Sequence, residues 1–429
     1  MKSVSLLLLF AANLAIGGAY AEELQTQAVF QPVAGIVVPL GGAVRFDNDE
    51  LRQRLVDLAG GKGARFVVIP TSSASPEKAG ESAAHELRRR GAQVELLRIA
   101  PLWAGEGMAS ARRAAADPDN VAKIRAANGV YFTGGAQERV ADVLNPGGVA
   151  SPVLQALREL QARGGVIAGT SAGAAIMSRV MFRDAQNPLL VLKGVMREGK
   201  EIDRGLGFVG DEIFIDQHFL KRGRVGRMLA VMLAKGYKIG LGVDENTAAV
   251  IRGSDIEIVG ATGALLLDLR DVKVEPGPVN LRNVRVSYLD NGDHYDLAKA
   301  QGRVLPAKLA RGELKFRQPG FVPDLENPRR AYTDILGENA ILRALSQLVD
   351  GPYDQVTGIA FDLPGTSADG DPAAADPAPD MGFEFVLRRD ERTRGWDSAG
   401  IDGKDYSVFD ARLDVRPVRI KAPLLQSWQ

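Results

Sequence analysis

A serine held between two glycines is the first place in this chain where residue types and spacing could do chemistry. Val166-Ile167-Ala168 reads as a buried strand, Gly169-Thr170-Ser171-Ala172-Gly173 follows it, and Ala174-Ala175-Ile176 opens a helical pattern. A strand that turns sharply into a helix through Gly-x-Ser-x-Gly exposes the hydroxyl at the carboxyl edge of a sheet, and the glycines let backbone approach closely. The amide of Ala172 then lies at a helix start, where it can stabilise an oxyanion. Nucleophilic attack by Ser171 is the chemistry this implies. The plainer alternative is a Gly-rich turn at an ordinary strand–helix junction, of the kind that can bind phosphate.

A serine nucleophile needs a base, and the chain has 3 histidines. His85 falls inside an amphipathic helix and reads as a surface or boundary residue. His294 sits in the turn Asn291-Gly292-Asp293-His294-Tyr295. His218 directly follows Ile213-Phe214-Ile215-Asp216-Gln217, at the carboxyl end of a strand, which is where open α/β sheets place their sites. It is therefore the candidate base. The base needs a carboxylate to fix its tautomer, and Gly242-Val243-Asp244-Glu245-Asn246 ends another strand with two. The residues alone leave Asp244 and Glu245 both open.

Two further segments bear on binding. Tyr131-Phe132-Thr133-Gly134-Gly135-Ala136-Gln137 ends a strand with a glycine pair, so the amide of Gly135 could be a second oxyanion donor. Just after His218, the run Lys221-Arg222-Gly223-Arg224-Val225-Gly226-Arg227 holds four cations within seven residues. Such a run is usually a solvated surface. Beside a nucleophile it suits a substrate that carries carboxylates, which guanidinium groups grip with paired hydrogen bonds.

These residues must be held by elements, and the hydrophobic pattern supplies them. Between residues 33 and about 270, short apolar runs (35–40, 66–69, 94–97, 130–132, 166–168, 213–215 and 239–243) alternate with helical patterns such as 49–59 and 76–90. In the first of these helices Leu51, Leu55 and Leu58 share one face, with Arg52, Arg54 and Asp57 largely on the other. Strand–helix alternation implies a parallel sheet with helices on both faces. After Thr247 three strands follow one another (247–251, 256–259 and 264–269), as in an antiparallel edge. Beyond 272, Pro276-Gly277-Pro278 breaks the pattern. The rest reads as a smaller β-rich extension with one helix at 334–349, and residues 363–382 read as a flexible acidic loop.

Composition narrows the function. The chain has 429 residues, 53 basic and 53 acidic, and no cysteine. Zero net charge argues against nucleic acid held by bulk electrostatics. The lack of cysteine removes disulfides, thiol nucleophiles and Cys-based zinc sites. No metal or organic cofactor is implied, since no clustered ligand set remains once His218 and one of the two acids are assigned. Lys2, the apolar run 5–10 and Ala19-Tyr20-Ala21 together read as a secretory signal peptide cleaved after Ala21, which implies export without a remaining membrane anchor.

Taken in order, Thr133-Gly134-Gly135-x-Gln137, Gly169-Thr170-Ser171-Ala172-Gly173-Ala174, Asp216-Gln217-His218-Phe219 and Asp244-Glu245-Asn246-Thr247-Ala248 closely resemble the cyanophycinases of serine peptidase family S51. Gly41-Gly42-Ala43 and Ile69-Pro70-Thr71-Ser72-Ser73-Ala74 agree, and the resemblance covers roughly residues 33–300. The leader makes the chain look like the extracellular branch of that family. The resemblance implies cleavage of cyanophycin, a poly-aspartate whose side-chain carboxyls carry arginine, into β-Asp-Arg dipeptides. It implies Ser171 as nucleophile, His218 as base and Glu245 as orienting acid. Gln137, Asp216, Gln217, Arg222, Arg224 and Arg227 fall at positions that line the substrate pocket in relatives. Ala136 departs from the pattern, since relatives more often have a polar residue there. An aspartyl dipeptidase of the same superfamily and a non-catalytic binder of acidic polymer are the other readings.

The expected architecture is α/β: a mostly parallel, doubly wound sheet, flavodoxin-like or class I glutamine amidotransferase-like, over residues 30–272. The β-rich extension at 273–429 could cap the sheet, mediate formation of a homodimer or hold insoluble polymer.

Overall fold

The computed structural model describes residues 30–184, 187–325, 327–362, 376–400 and 403–420. The expected signal peptide at 1–21 and residues 363–375 of the expected acidic loop lie outside them.

The first half of the chain builds a parallel sheet. Strands β1 (Val33–Leu40), β2 (Arg65–Ile69), β3 (Gln93–Leu96), β4 (Gly129–Phe132) and β5 (Val166–Thr170) run parallel in the order β1-β5-β4-β2-β3. Helices α1 (Asp49–Leu58), α2 (Pro76–Arg89), α3 (Gly107–Ala114), α4 (Pro118–Ala126), α5 (Gln137–Leu144) and α6 (Pro152–Ala162) cross between them. Caps set the helix starts. The Asn48 side chain accepts from the Leu51 amide at 3.2 Å, the Ser151 hydroxyl accepts from the Leu154 amide at 3.1 Å, and Pro76 opens α2. Strand alternation divides the core. Ile36, Val38 and Leu40 pack with Leu51 and Leu55 of α1 and Leu87 of α2, while Val33 and Val37 face the opposite layer.

After β5 come the short α7 (Ala172–Ala175), a ribbon of β6 (Val180–Phe182) and β7 (Ile202–Arg204) with α8 (Pro188–Leu192) between them, then β8 (Ile213–Gln217), α9 (Val225–Lys235) and β9 (Ile239–Val243). Strands β10 (Thr247–Gly253), β11 (Asp255–Gly260) and β12 (Ala264–Asp268) follow. Beyond 272 lie β13 (Lys273–Val274), β14 (Leu281–Leu289), β15 (His294–Asp296), β16 (Gln301–Arg303), α10 (Pro306–Arg311), β17 (Ala331–Tyr332), α11 (Ala340–Asp350), β18 (Gln355–Ala360), β19 (Met381–Arg388), β20 (Arg394–Gly400) and β21 (Gly403–Arg419).

A single parallel sheet would have included β8 and β9. Instead they pair in parallel with each other inside a second sheet. The reason is local. The chain reverses at Asp244–Asn246, and β10 returns antiparallel along the open edge of β1, with Leu40 opposite Ala248. That closes the edge that β8 or β9 would have used. The first sheet then grows by β11, β15 and β16 to nine strands, and the second grows from β9 through β12, β14, β21, β19, β18 and β17 to ten, counting β13 and β20 at its side. The chain on the two sides of residue 272 shares both sheets, since β14 pairs with β12 and β15 with β11. The β-rich C-terminal region is thus continuous with the sheet that holds β8 and β9. Ile213, Ile215, Leu241 and Val243 of the second sheet share one apolar core with Val37, Ile69, Phe132 and Ile167 of the first. The other face of the second sheet packs Phe214, Leu265 and Leu267 with residues of α8, α9 and α11. Among the described residues no helix is long and apolar enough to cross a membrane.

Candidate active site

The carboxyl ends of β5, β8 and β9 meet beside the end of β1. Three successive carbonyls there fix three parts of the site. Leu40 accepts from the Ser171 amide at 2.9 Å, Gly41 from the His218 amide at 2.8 Å, and Gly42 from the Asn246 amide at 2.8 Å. The two sheets are thereby registered at one point, although Ser171 rides on the first and His218 and Asn246 follow strands of the second.

Ser171 occupies the turn from β5 into α7 with φ 53° and ψ −113°. A non-glycine residue in that region costs on the order of 1–3 kcal/mol and persists only where its surroundings enforce it. The flanking glycines do so by contact. A Cβ on Gly169 would lie 2.4 Å from the Gly173 carbonyl oxygen, and one on Gly173 would lie 2.7 Å from that of Phe132. His218 and Asn246 also have positive φ, at 45° and 56°.

Ser171 Oγ lies 3.0 Å from His218 Nε2, and His218 Nδ1 lies 2.6 Å from Glu245 Oε1. Burial holds the imidazole below the usual histidine range. The Glu245 contact opposes that shift, and the nearby charge of Arg222 reinforces it. At neutral pH the ring is therefore uncharged, with Nδ1–H donating to Glu245 and Nε2 free to accept from the serine hydroxyl. Asp244 points elsewhere. Its Oδ1 accepts from the amides of Glu245 at 2.9 Å and Lys221 at 3.3 Å, capping the turn after β9, and burial pushes its carboxyl up to about 6. Of the two acids, Glu245 is the one brought to His218.

The Gly134–Gly135 turn sits against Ser171. A Cβ on Gly134 would approach Ser171 Cβ at 3.2 Å, and one on Gly135, where φ is +144°, would lie 2.1 Å from the Ser72 carbonyl oxygen. The amide of Ser171 is taken by Leu40 and that of Ala136 by Ser72 (2.9 Å). Gly135 and Ala172 are the amides next to them.

The remaining candidates divide. A cavity of about 540 Å³ opens at Ser171, His218 and Glu245, and Arg222 lines it. Arg224 and Arg227 do not. Arg227 grips Asp216 at 2.7 and 2.6 Å and stacks on the Phe182 ring at 4.3 Å. Arg224 donates to the Gln217 carbonyl at 2.6 Å and reaches Asp216 at 3.5 Å. All three charged side chains are buried. The arginines keep the Asp216 carboxyl below its ordinary range despite burial, and burial, reinforced by Arg227, pushes Arg224 down to about 9. Asp216, Arg224 and Arg227, expected at the substrate pocket, thus face one another in this structure. Gln137 is likewise committed, donating to the Phe182 carbonyl at 2.8 Å, outside the cavity wall. Gln217 is buried, and its side-chain oxygen has no hydrogen-bond partner among the described residues. His85 is exposed on α2, and His294 lies on β15 against Asp255.

The cavity walls are largely apolar: Leu40, Val44, Leu51, Leu55, Ala83 and Leu87, with Tyr131, Arg52 and Glu86. Arg52 was not legible from helix periodicity, which places it on the polar face of α1. It is buried. Its guanidinium donates to the carbonyls of Phe46 (3.0 Å) and Val44 (3.3 Å) and lies 3.7 Å from Glu86, holding the segment that rims the cavity.

The model of Peptidase family S51 matches residues 40–259, just over half of the chain. The chain belongs to peptidase family S51. It is a serine-type peptidase, and Ser171, His218 and Glu245 all fall inside the matched span. The cyanophycinase of Nostoc sp. is 30% identical to this peptidase over 283 residues, 63% of this chain and 88% of that protein. The cyanophycinase of Thermosynechococcus vestitus is 28% identical over 286 residues, 62% of this chain and 80% of that one. Among solved structures, a peptidase from an acI-B1 Actinobacterium is 22% identical with a TM-score of 0.42, covering 55% of this chain and 91% of that one. The S51 match ends within β11, whereas the sheet that carries His218 and Glu245 continues to Arg419.

Proposed function

We propose that this peptidase is an exported cyanophycinase that hydrolyses the poly-aspartate backbone of cyanophycin to β-Asp-Arg dipeptides through Ser171, His218 and Glu245. The observation that carries the mechanism is the continuous chain from Ser171 Oγ to His218 (3.0 Å) and on to Glu245 (2.6 Å), set at the mouth of a cavity. The cyanophycinases among its relatives support the substrate. Ser171 Oγ attacks an aspartyl carbonyl carbon while its proton passes to His218 Nε2. The amides of Ala172 and Gly135 hold the oxyanion, and Glu245 steadies the imidazolium. His218 then gives the proton to the departing amine as the C–N bond breaks. Water, deprotonated by His218, attacks the acyl ester and returns Ser171 to its hydroxyl form. Arg222, exposed at the cavity, is the cation available to a substrate carboxylate. Export rests on the leader-like residues 1–21, and N-terminal sequencing of protein recovered outside the cytoplasm tests it.

A second reading is an aspartyl dipeptidase. It gains from the apolar cavity wall and from the commitment of Arg224 and Arg227 to Asp216, which leaves fewer cations for a polyanion. One experiment separates the two. Purified mature protein is incubated with cyanophycin and, separately, with Asp-Leu, and the products are read by mass. Release of β-Asp-Arg from the polymer supports the first reading. An intact polymer with hydrolysed Asp-Leu supports the second.

A further inference from the structure

The loop that carries Arg222 is clamped from outside the family-matched segment. Between His218 and α9 the chain makes a tight turn in which the Arg222 amide donates to the His218 carbonyl at 3.0 Å. Against it lies residues 336–339, the turn that enters α11. The Asn339 amide donates to the Leu220 carbonyl at 2.9 Å. Lys221 Nζ meets Glu338 Oε1 at 2.5 Å. Gly223, with φ +58°, comes so close that an added Cβ would lie 1.5 Å from the Leu336 carbonyl oxygen. Leu220, Lys221 and Gly223 are thus all held by one turn, and Arg222, between them, is the residue left facing the cavity.

That turn is itself built rigidly. The Ile335 amide donates to the Ile359 carbonyl of β18 at 3.0 Å, and Ile335 is fully buried. The Asp334 carboxylate accepts from the Leu336 amide at 3.2 Å, and Asn339 adopts the left-handed conformation (φ 54°) that starts α11. On the other side, Asp244 binds the Lys221 amide, so the loop is fixed between the turn after β9 and the C-terminal region.

We infer that the Leu336–Asn339 turn positions the His218–Gly223 loop and so sets how Arg222 meets a substrate carboxylate. The inference rests on the assignment of Ser171 and His218 above. It gives the C-terminal region a part in substrate binding without contact to the reacting atoms, so Leu336, Glu338 and Asn339 are positioning residues.

The test uses the full mature chain. Gly223→Ala pushes the loop off Leu336, Glu338→Gln removes the surface ion pair, and Arg222→Ala removes the guanidinium. Each variant is measured for kcat and KM on cyanophycin (or on Asp-Leu, if that is the substrate cleaved), for thermal midpoint, and for labelling of Ser171 by a small fluorophosphonate that carries no carboxylate. Gly223→Ala is expected to raise KM about tenfold or more while labelling stays within about threefold of wild type. Glu338→Gln, at an exposed position, is expected to raise KM about twofold to fivefold at unchanged thermal midpoint. In the Arg222→Ala background neither change should add more than about twofold, because both act through that arginine. Unchanged KM in Glu338→Gln and Gly223→Ala, or full multiplication of their effects with Arg222→Ala, overturns the inference. A wild-type protein that neither takes the label nor cleaves either substrate overturns the assignment of Ser171 itself, and the inference with it.

Discussion

Gly42 makes room for His218. Its φ is +106°, and a Cβ placed on it would lie 2.4 Å from Nε2 of the imidazole, the atom that faces Ser171. The Gly42 carbonyl at the same time holds the amide of Asn246, next to Glu245. Gly42→Ala is therefore expected to displace the ring rather than unfold the chain. Displacements of about 1 Å at a reacting group cost on the order of 100-fold. Activity within about threefold of wild type in a folded Gly42→Ala variant would count against the proposed role of His218.

Ser171→Ala is expected to lower kcat by about a million-fold and Glu245→Gln by about ten-thousand-fold, as losses of nucleophile and orienting acid do in serine hydrolases. Steady-state turnover of matched preparations measures both. Loss in Ser171→Ala with full activity in Glu245→Gln would leave the nucleophile standing and remove the acid.

The acid side of the pH profile reports His218. Burial lowers its pKa below 6.5, so the neutral base persists into mildly acidic solution and kcat/KM should fall only below that value. The Arg222 charge contributes to that lowering. Removing it in Arg222→Ala makes protonation easier, so the acid limb should move to higher pH. A limb that stays in place or moves down would show that Arg222 does not act on the ring.

Asp216 pairs with two buried cations. Asp216→Asn keeps the shape but leaves Arg227 and Arg224 without their counter-charge, and breaking a buried pair in this way costs about 3–5 kcal/mol. Urea unfolding should register that loss. A cost below about 1 kcal/mol would mean that the cluster contributes little to stability.

Asp244 gives the opposite sign. Its folded value of about 6 lies above the ordinary 3.8, so the folded state holds a proton that the unfolded chain releases. Stability from this group is present at low pH and is lost as pH rises toward 6 and beyond. Asp244→Asn keeps the acceptor for the Glu245 and Lys221 amides without the charge. It should gain on the order of 2 kcal/mol over wild type at pH 8 and little at pH 4. Equal unfolding midpoints at pH 8 would contradict this.

Much of the site was legible because its residues sit at strand ends, where local pattern is informative. Gly-x-Ser-x-Gly after β5, His218 after β8 and the acid pair after β9 are all marked by an apolar run followed by polar or glycine residues. The choice between Asp244 and Glu245 was not legible in residue types, since it depends on which carboxylate the turn at Asn246 aims across to another strand. The pairing of Arg224 and Arg227 was not legible, because a charge run says nothing about its counter-charge. Asp216, 8 and 11 residues away in sequence, supplies it only once β8 and α9 fold back on each other. Arg52 was placed on the polar face of α1 because helical period cannot show the loop carbonyls that surround it.

By itself, the amino-acid sequence determined the strand–helix alternation, the sharp turn at Ser171 and the set of groups able to act as nucleophile, base and acid, because each depends on neighbours within a few residues. Only the tertiary structure decided that β8 and β9 form a second sheet, that the C-terminal region belongs to that sheet, and that Leu336–Asn339 clamps the loop of Arg222. Those outcomes hang on pairings between distant segments, such as β10 closing the edge of β1 and Lys221 meeting Glu338 from 117 residues away. Local preference carries no record of such pairings, because they arise when the whole core packs.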